Sequence, residues 1–200
     1  MAKGPSYRVH FRRRREGKTN YYLRRNLLLS GKNRVVIRPS VKNIVCQVVD
    51  AHLKGDIILT SATSKELEKK YDWKFGRGNV PAAYLTGYLL GKKALKVNAG
   101  DCIADIGLRV HLERTYAALK GVIDAGMDVP HSGDVFPDEE RLKGKHIENF
   151  AKVIKDKKPE EEDSSPFDNQ FSAYKKAGVD PSKISSQVDA ILKKIDKEYA

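Results

Sequence analysis

Twelve of the first 38 residues are Lys or Arg and Glu16 is the one acid among them, so this segment holds eleven of the net twelve positive charges of the 200-residue chain. Like charges at that density cannot enter a hydrophobic core, because each buried cation would need its own counter-charge. The chain is therefore constrained to a basic arm joined to a separate, nearly neutral folding unit. The remainder, with 26 basic and 25 acidic side chains, fits that unit.

A basic segment of this kind attracts a polyanion by Coulomb attraction and by release of condensed counterions. Its cations are Lys3, Arg8, Arg12, Arg13, Arg14, Arg15, Lys18, Arg24, Arg25, Lys32, Arg34 and Arg38. Tyr7, His10, Phe11, Tyr21 and Tyr22 are interleaved with them. Planar rings beside guanidinium groups suit unpaired bases, which points to structured RNA. A membrane-surface helix would need a broad apolar face, and residues 7–18 offer only Tyr7, Val9 and Phe11. The plain alternative is a solvated basic leader.

Two hundred residues with 40% hydrophobic content suit one domain plus appendages. Cys46 and Cys102 each lie in an apolar run without ligand spacing, and read as buried small hydrophobes in a reducing compartment. Met1 to Lys18 has no apolar core of a signal peptide, and no run approaches the roughly 20 apolar residues of a membrane span, so a cytoplasmic protein is expected.

Thr19 is the expected cap of a short helix ending near Ser30 and closed by Gly31. Three β-branched runs follow, Arg34 to Arg38, Ile44 to Val49 and Ile57 to Ser61, and suggest an antiparallel meander. Ser64 is the expected cap of a helix over Lys65 to Lys70. After Gly76-Arg77-Gly78-Asn79, a long helix from Val80 to about Asn98 carries Gly87 and Gly91 where close approach to a strand or helix is useful, with Lys92, Lys93 and Lys96 facing out. A strand at Cys102 to Ile106 then leads through Arg109 and His111 to a helix from about Glu113 to Ala125.

A strand reached through a helix can lie parallel to its neighbour. The expected fold class is therefore α/β: a mixed sheet of about four strands packed with helices, with a basic N-terminal arm and a helical C-terminal extension. The domain boundaries expected are a basic arm and helix at 1–32, an α/β core at 33–129, and a charged, mostly helical extension at 130–200. In the extension, helices are expected at Asp138 to Lys143 and His146 to Lys157, followed by a polar linker from Lys157 to Pro166. Asp180 and Pro181 open a last helix whose apolar face, including Ile184, Val188, Ile191 and Ile195, needs a cover, more readily the core than another protein.

Catalytic signals are sparse. His10, His52, His111, His131 and His146 are scattered, with no His-Glu-x-x-His pattern and no cysteine ligand pair for zinc. The Gly76 to Asn79 turn could hold an RNA phosphate with its backbone donors but lacks the lysine and hydroxyl of a nucleotide-binding loop. Asp50, Asp56, Asp101 and Asp105 flank strands and keep one rival open: a metal-dependent nuclease on a ribonuclease-H-like fold. As turn residues they have an ordinary explanation.

Several segments together carry a family resemblance. They are Gly17-Lys18-Thr19-Asn20-Tyr21-Tyr22-Leu23-Arg24-Arg25, Arg34-Val35-Val36-Ile37-Arg38-Pro39-Ser40 and Lys42-Asn43-Ile44-Val45-Cys46-Gln47, then Gly55-Asp56, Ser64-Lys65-Glu66-Leu67, Gly78-Asn79, Ala82-Ala83-Tyr84-Leu85-Thr86-Gly87 and Gly121-Val122-Ile123-Asp124-Ala125-Gly126. In this order the chain resembles, nearly end to end, the large-subunit ribosomal protein family that binds 5S ribosomal RNA, the eighteenth large-subunit protein in bacterial naming. Val129-Pro130-His131-Ser132 and Phe171-Ser172-Ala173-Tyr174 look like the longer archaeal and eukaryotic form. One departure is Val110-His111-Leu112-Glu113-Arg114, where the bacterial form has Tyr-His-Gly-Arg, which makes an RNA role for His111 or Arg114 less secure.

The resemblance implies a structural constituent of the large ribosomal subunit, cytoplasmic, that binds 5S rRNA and docks it onto the large-subunit (23S-type) rRNA at the central protuberance. It implies neighbouring ribosomal proteins as partners, including the other 5S-binding protein, with no membrane, cofactor, metal or catalysis. The RNA-binding residues expected are Arg8, Arg12, Arg13, Arg14, Arg15, Lys18, Tyr21, Tyr22, Arg24, Arg25, Lys32, Arg34, Arg38, Arg77 and Asn79.

Overall fold

Alternation of apolar and polar residues in three successive β-branched runs gives each strand one face to bury. The computed structural model describes residues 4–108, 112–156 and 166–199. Strands β1 (Asn33–Pro39), β2 (Ile44–Asp50) and β3 (Ile57–Thr63) form the expected antiparallel meander. Strand β4 (Cys102–Asp105) pairs parallel with β1, giving the order β3-β2-β1-β4 and the mixed sheet expected from the crossover. Leu59 is the extra residue of a bulge in β3, since Val48 faces Thr60 while Val49 faces Ile58.

The crossover is made by α3 (Ser64–Tyr71) and α4 (Val80–Lys96), and α5 (Glu113–Asp124) follows β4. Val35, Ile37, Ile44, Cys46, Val48 and Ala62 share the sheet face toward these helices and are fully buried. Leu85, Leu89 and Leu90 of α4 are buried with them. Cys46 and Cys102 are free and buried, as read from their surroundings in the sequence. The close approach at Gly87 is to a helix: a Cβ there would strike the Ala118 carbonyl of α5, and one on Gly121 would strike the Tyr84 carbonyl of α4. Glycine is required at both positions by backbone proximity, not by its dihedral freedom.

Three local expectations are corrected. Asn20, not Thr19, caps the arm helix α2 (Tyr21–Leu29), its Oδ1 accepting from the amides of Tyr22 and Leu23 at 3.1 and 3.2 Å. Asn is the stronger cap, and Thr19 Oγ1 instead accepts from Arg13 Nε at 2.8 Å. Ser64 is the first residue of α3, and its buried hydroxyl accepts from the Ile44 amide at 3.0 Å rather than capping its own helix. Lys93 does not face out but donates to the Ser61 carbonyl at 2.9 Å and to Glu66 at 2.5 Å.

The extension contains α6 (Glu139–Leu142), α7 (Lys145–Asp156), α8 (Pro166–Gln170), α9 (Ser172–Lys176) and α10 (Ile184–Glu198). Asp180 caps a 3-10 turn at Pro181–Lys183 ahead of α10 by accepting from the Ser182 amide. Ile184, Val188, Ile191 and Ile195 are buried in the core cluster, so the core covers the last helix. Tyr88 donates to Asp196 at 2.6 Å and Tyr71 to Glu198 at 2.5 Å, fixing α10 against α4 and α3. Arg109, Val110 and His111, and the linker from Lys157 to Ser165, lie outside the described residues.

Candidate nucleic-acid interface

The sheet face away from α4 is polar because alternate strand residues supply it. Arg34, Val36 and Arg38 of β1 lie beside Val49, Gln47 and Val45 of β2, with Ile103 and Asp105 of β4 on the other side. Helix α2 lies over this face through Tyr21, Arg24 and Leu27, spaced three apart and half-buried, while its other residues are exposed. Ahead of it, α1 (Arg12–Arg15) carries only arginine, and the Phe11 ring meets Tyr21 edge-on at 5.3 Å.

A ladder of charge-assisted hydrogen bonds joins α2 to the sheet. Arg24 donates to both oxygens of Asp56, at 2.7 and 3.0 Å. Arg34 donates to Asp56 at 2.7 Å and to Asp105 at 3.1 Å. Arg38 donates to the Asp105 carboxylate at 2.8 Å and to its carbonyl at 2.7 Å. The bidentate Arg24 bond, then burial and the Arg34 bond, act on Asp56 with a net lowering of its pKa; the same Arg24 bond raises the arginine's own. Three guanidinium groups against two carboxylates leave this network one positive charge.

The predicted cations therefore fall into unequal groups. Arg8, Arg14, Arg15 and Arg25 are exposed and form no ion pair among the described residues. Arg12 and Lys18 share Glu16, at 4.0 and 2.8 Å, and Lys32 meets Asp101 at 3.3 Å. Arg34 is 2% exposed, so its guanidinium positions the ladder and presents almost no surface to a ligand. Tyr22 is exposed, whereas Tyr21 is half-buried over the sheet.

Arg77 and Asn79 are not part of this cluster. Arg77 donates to Glu68 at 2.5 Å, and Asn79 caps α4 by accepting from the Ala82 amide at 2.9 Å. Arg114 ties that corner together, donating to the carbonyls of Ser40 at 2.8 Å and Gly78 at 3.0 Å. Sequence reasoning placed neither Arg114 in that tie nor Asp56 and Asp105 in the ladder. Alternation marks Arg34 and Arg38 as facing away from the core, but only strand register reveals their acidic partners.

Three of the four aspartates of the nuclease rival are engaged with Arg or Lys, and the fourth with a histidine ring. Asp56 and Asp105 hold the ladder, Asp101 meets Lys32, and Asp50 lies 3.0 Å from His52. This arrangement does not support paired metal ions. Between α2 and the sheet remains a cavity of about 500 Å³ with an apolar floor at Val36 and Val49 and cations at its rim. No helix among the described residues is long and apolar enough to cross a membrane.

A four-stranded mixed sheet carrying an arginine-rich arm over its polar face defines an α/β protein with a concentrated basic surface. Residues 5–101 match the family model described as ribosomal large subunit proteins 60S L5, and 50S L18. The chain is 46% identical over 199 residues to large ribosomal subunit protein uL18 of Thermofilum pendens, with 98% of each chain covered. It is 42% identical over 201 residues to uL18 of Aeropyrum pernix, covering 100% of this chain and 92% of that one. The chain belongs to the uL18 family of large ribosomal subunit proteins, as its sequence motifs implied.

Proposed function

We propose that this protein binds 5S rRNA through its arm and docks it onto the large-subunit rRNA at the central protuberance, beside the other 5S-binding protein. The observation that carries the reading is the set of four exposed arginines, Arg8, Arg14, Arg15 and Arg25, without an ion pair among the described residues, on an arm tied to the sheet by Arg24. Phosphate contacts from these residues supply affinity, and the rings of Tyr21 and Tyr22 supply surfaces for unpaired bases. Arg12, Arg13, Lys18, Lys32 and Arg38 border the same region and add to its field, while Arg34 acts by holding its neighbours. Residues 1–32 make the grip, and the core at 33–129 sets the arm's direction.

Titration of the protein against 5S rRNA and a transfer RNA of similar size, at several salt concentrations, tests this. Four to six phosphate contacts at about 0.7 to 0.9 each give a log–log salt slope of about 3 to 5. Preferential binding of 5S with that slope is the expected result. Equal affinity for both RNAs would reduce the arm to a non-specific polycation.

A further inference from the structure

The ladder accounts for the acidic groups of the open face but not for the space it encloses. The cavity between α2 and the sheet, about 500 Å³, falls within the range of roughly 300 to 1,000 Å³ common to small-ligand clefts. Its lining changes character with depth. Val36 and Val49 make an apolar floor, the ring of Tyr21 stands at the α2 side, and Arg13 and Lys18 lie at the rim.

One polar side chain in this lining has no partner among the described residues. Gln47, half-buried on the β2 side, makes no side-chain hydrogen bond among the described residues. A half-buried amide left unmatched by the protein is open to a ligand or an ordered water. Gln47 offers a coplanar donor and acceptor, the arrangement that pairs with the edge of a nucleobase.

We propose that this cavity receives one unstacked nucleotide of the bound RNA. The base lies between the Tyr21 ring and the Val36–Val49 floor, its edge meets the Gln47 amide, and its phosphate meets Arg13 and Lys18 at the rim. This combination of ring, apolar floor and cationic rim matches the three parts of a nucleotide, where a free anion would use the rim alone. The inference rests on the RNA-binding reading above and adds to it a site that reads a base.

The test uses the full chain, 5S rRNA, and the variants Gln47→Leu and Val36→Phe, with thermal melting to confirm the fold. Gln47→Leu removes the polar pair without altering charge, and Val36→Phe fills the floor. Each is expected to weaken 5S binding about tenfold with the salt slope unchanged, as loss of a base contact rather than a phosphate contact requires. Probing with dimethyl sulfate for A and C and with a carbodiimide for U and G should show one unpaired base protected by the wild type and exposed with Gln47→Leu. Unchanged affinity in the folded variants, or weakened affinity with every base protection retained, overturns the inference. If wild-type protein shows no preference for 5S, the 5S reading fails instead, and the two failures are distinguishable.

Discussion

On one face of the sheet Val35, Ile37, Cys46 and Val48 meet helices and are fully buried, while on the other Arg34, Arg38 and Asp105 meet α2 through hydrogen-bonded charges. The same strands supply both faces by alternation. Each large apolar side chain buried on the first face contributes about 1.5 to 3 kcal/mol, largely independent of pH. The partly exposed pair Arg24–Asp56, the outermost rung of the second face, contributes about 0 to 1 kcal/mol and weakens with salt. The helix-covered face therefore holds the fold, and the polar face holds the arm through hydrogen-bonded charges.

The sharpest separation of the two faces comes from reversing Arg8, Arg14, Arg15 and Arg25 to Glu. Losing four phosphate contacts is expected to lower 5S affinity at least about a thousandfold near 0.1 M salt, with the melting temperature unchanged. A large fall in melting temperature would mean that these arginines also serve the fold. Substitution on the other face should do the reverse. Gly87→Val drives a side chain into the α5 backbone and should cost about 3 kcal/mol by denaturant unfolding, at any salt concentration.

Asp105→Asn probes where the two faces come closest in strength. It leaves the buried Arg34 with only Asp56, and a broken buried pair costs about 3 kcal/mol. A cost below about 1 kcal/mol would show that the ladder is weaker than its burial suggests.

An effect no larger, but dependent on pH, is expected at Asp56. Its carboxyl is held below the usual value near 3.9, so its stabilising contribution is complete above that pH and is lost as pH falls through the lowered value. Asp56→Asn should remove this part of the acid sensitivity and, because it leaves the buried Arg34 with only Asp105, cost about 3 kcal/mol near neutrality, as Asp105→Asn does. It should also weaken RNA binding, although it removes a negative charge, because Arg24 loses the group that orients it. Tighter binding would show that only net charge matters there.

Most of the fold was legible because its signals are local. The β-branched runs marked the first three strands, the turn before Val80 marked the long helix, and the crossover gave a parallel fourth strand. Boundary errors at Thr19 and Ser64 arose where neighbouring residues competed for one capping role, which tertiary partners then settled. The arm was legible as a concentration of positive charge. The sequence treats its cations alike, yet Arg34 is buried, Arg24 is tied to Asp56, and Arg25 next to it has no ion pair among the described residues.

From the sequence alone came the segregation of charge into the arm, the periodicity of strands and helices, and the motifs of the family, since each is written in residue type and spacing. Which arginines face solvent and which are held by acids was decided only by the tertiary structure. Arg34 meets Asp56 and Asp105, residues 22 and 71 positions away, because β1 lies parallel to β4 and the end of the β2–β3 connection comes up beside it. Ion pairing depends on distances of a few ångströms across strands, and no local pattern encodes that register.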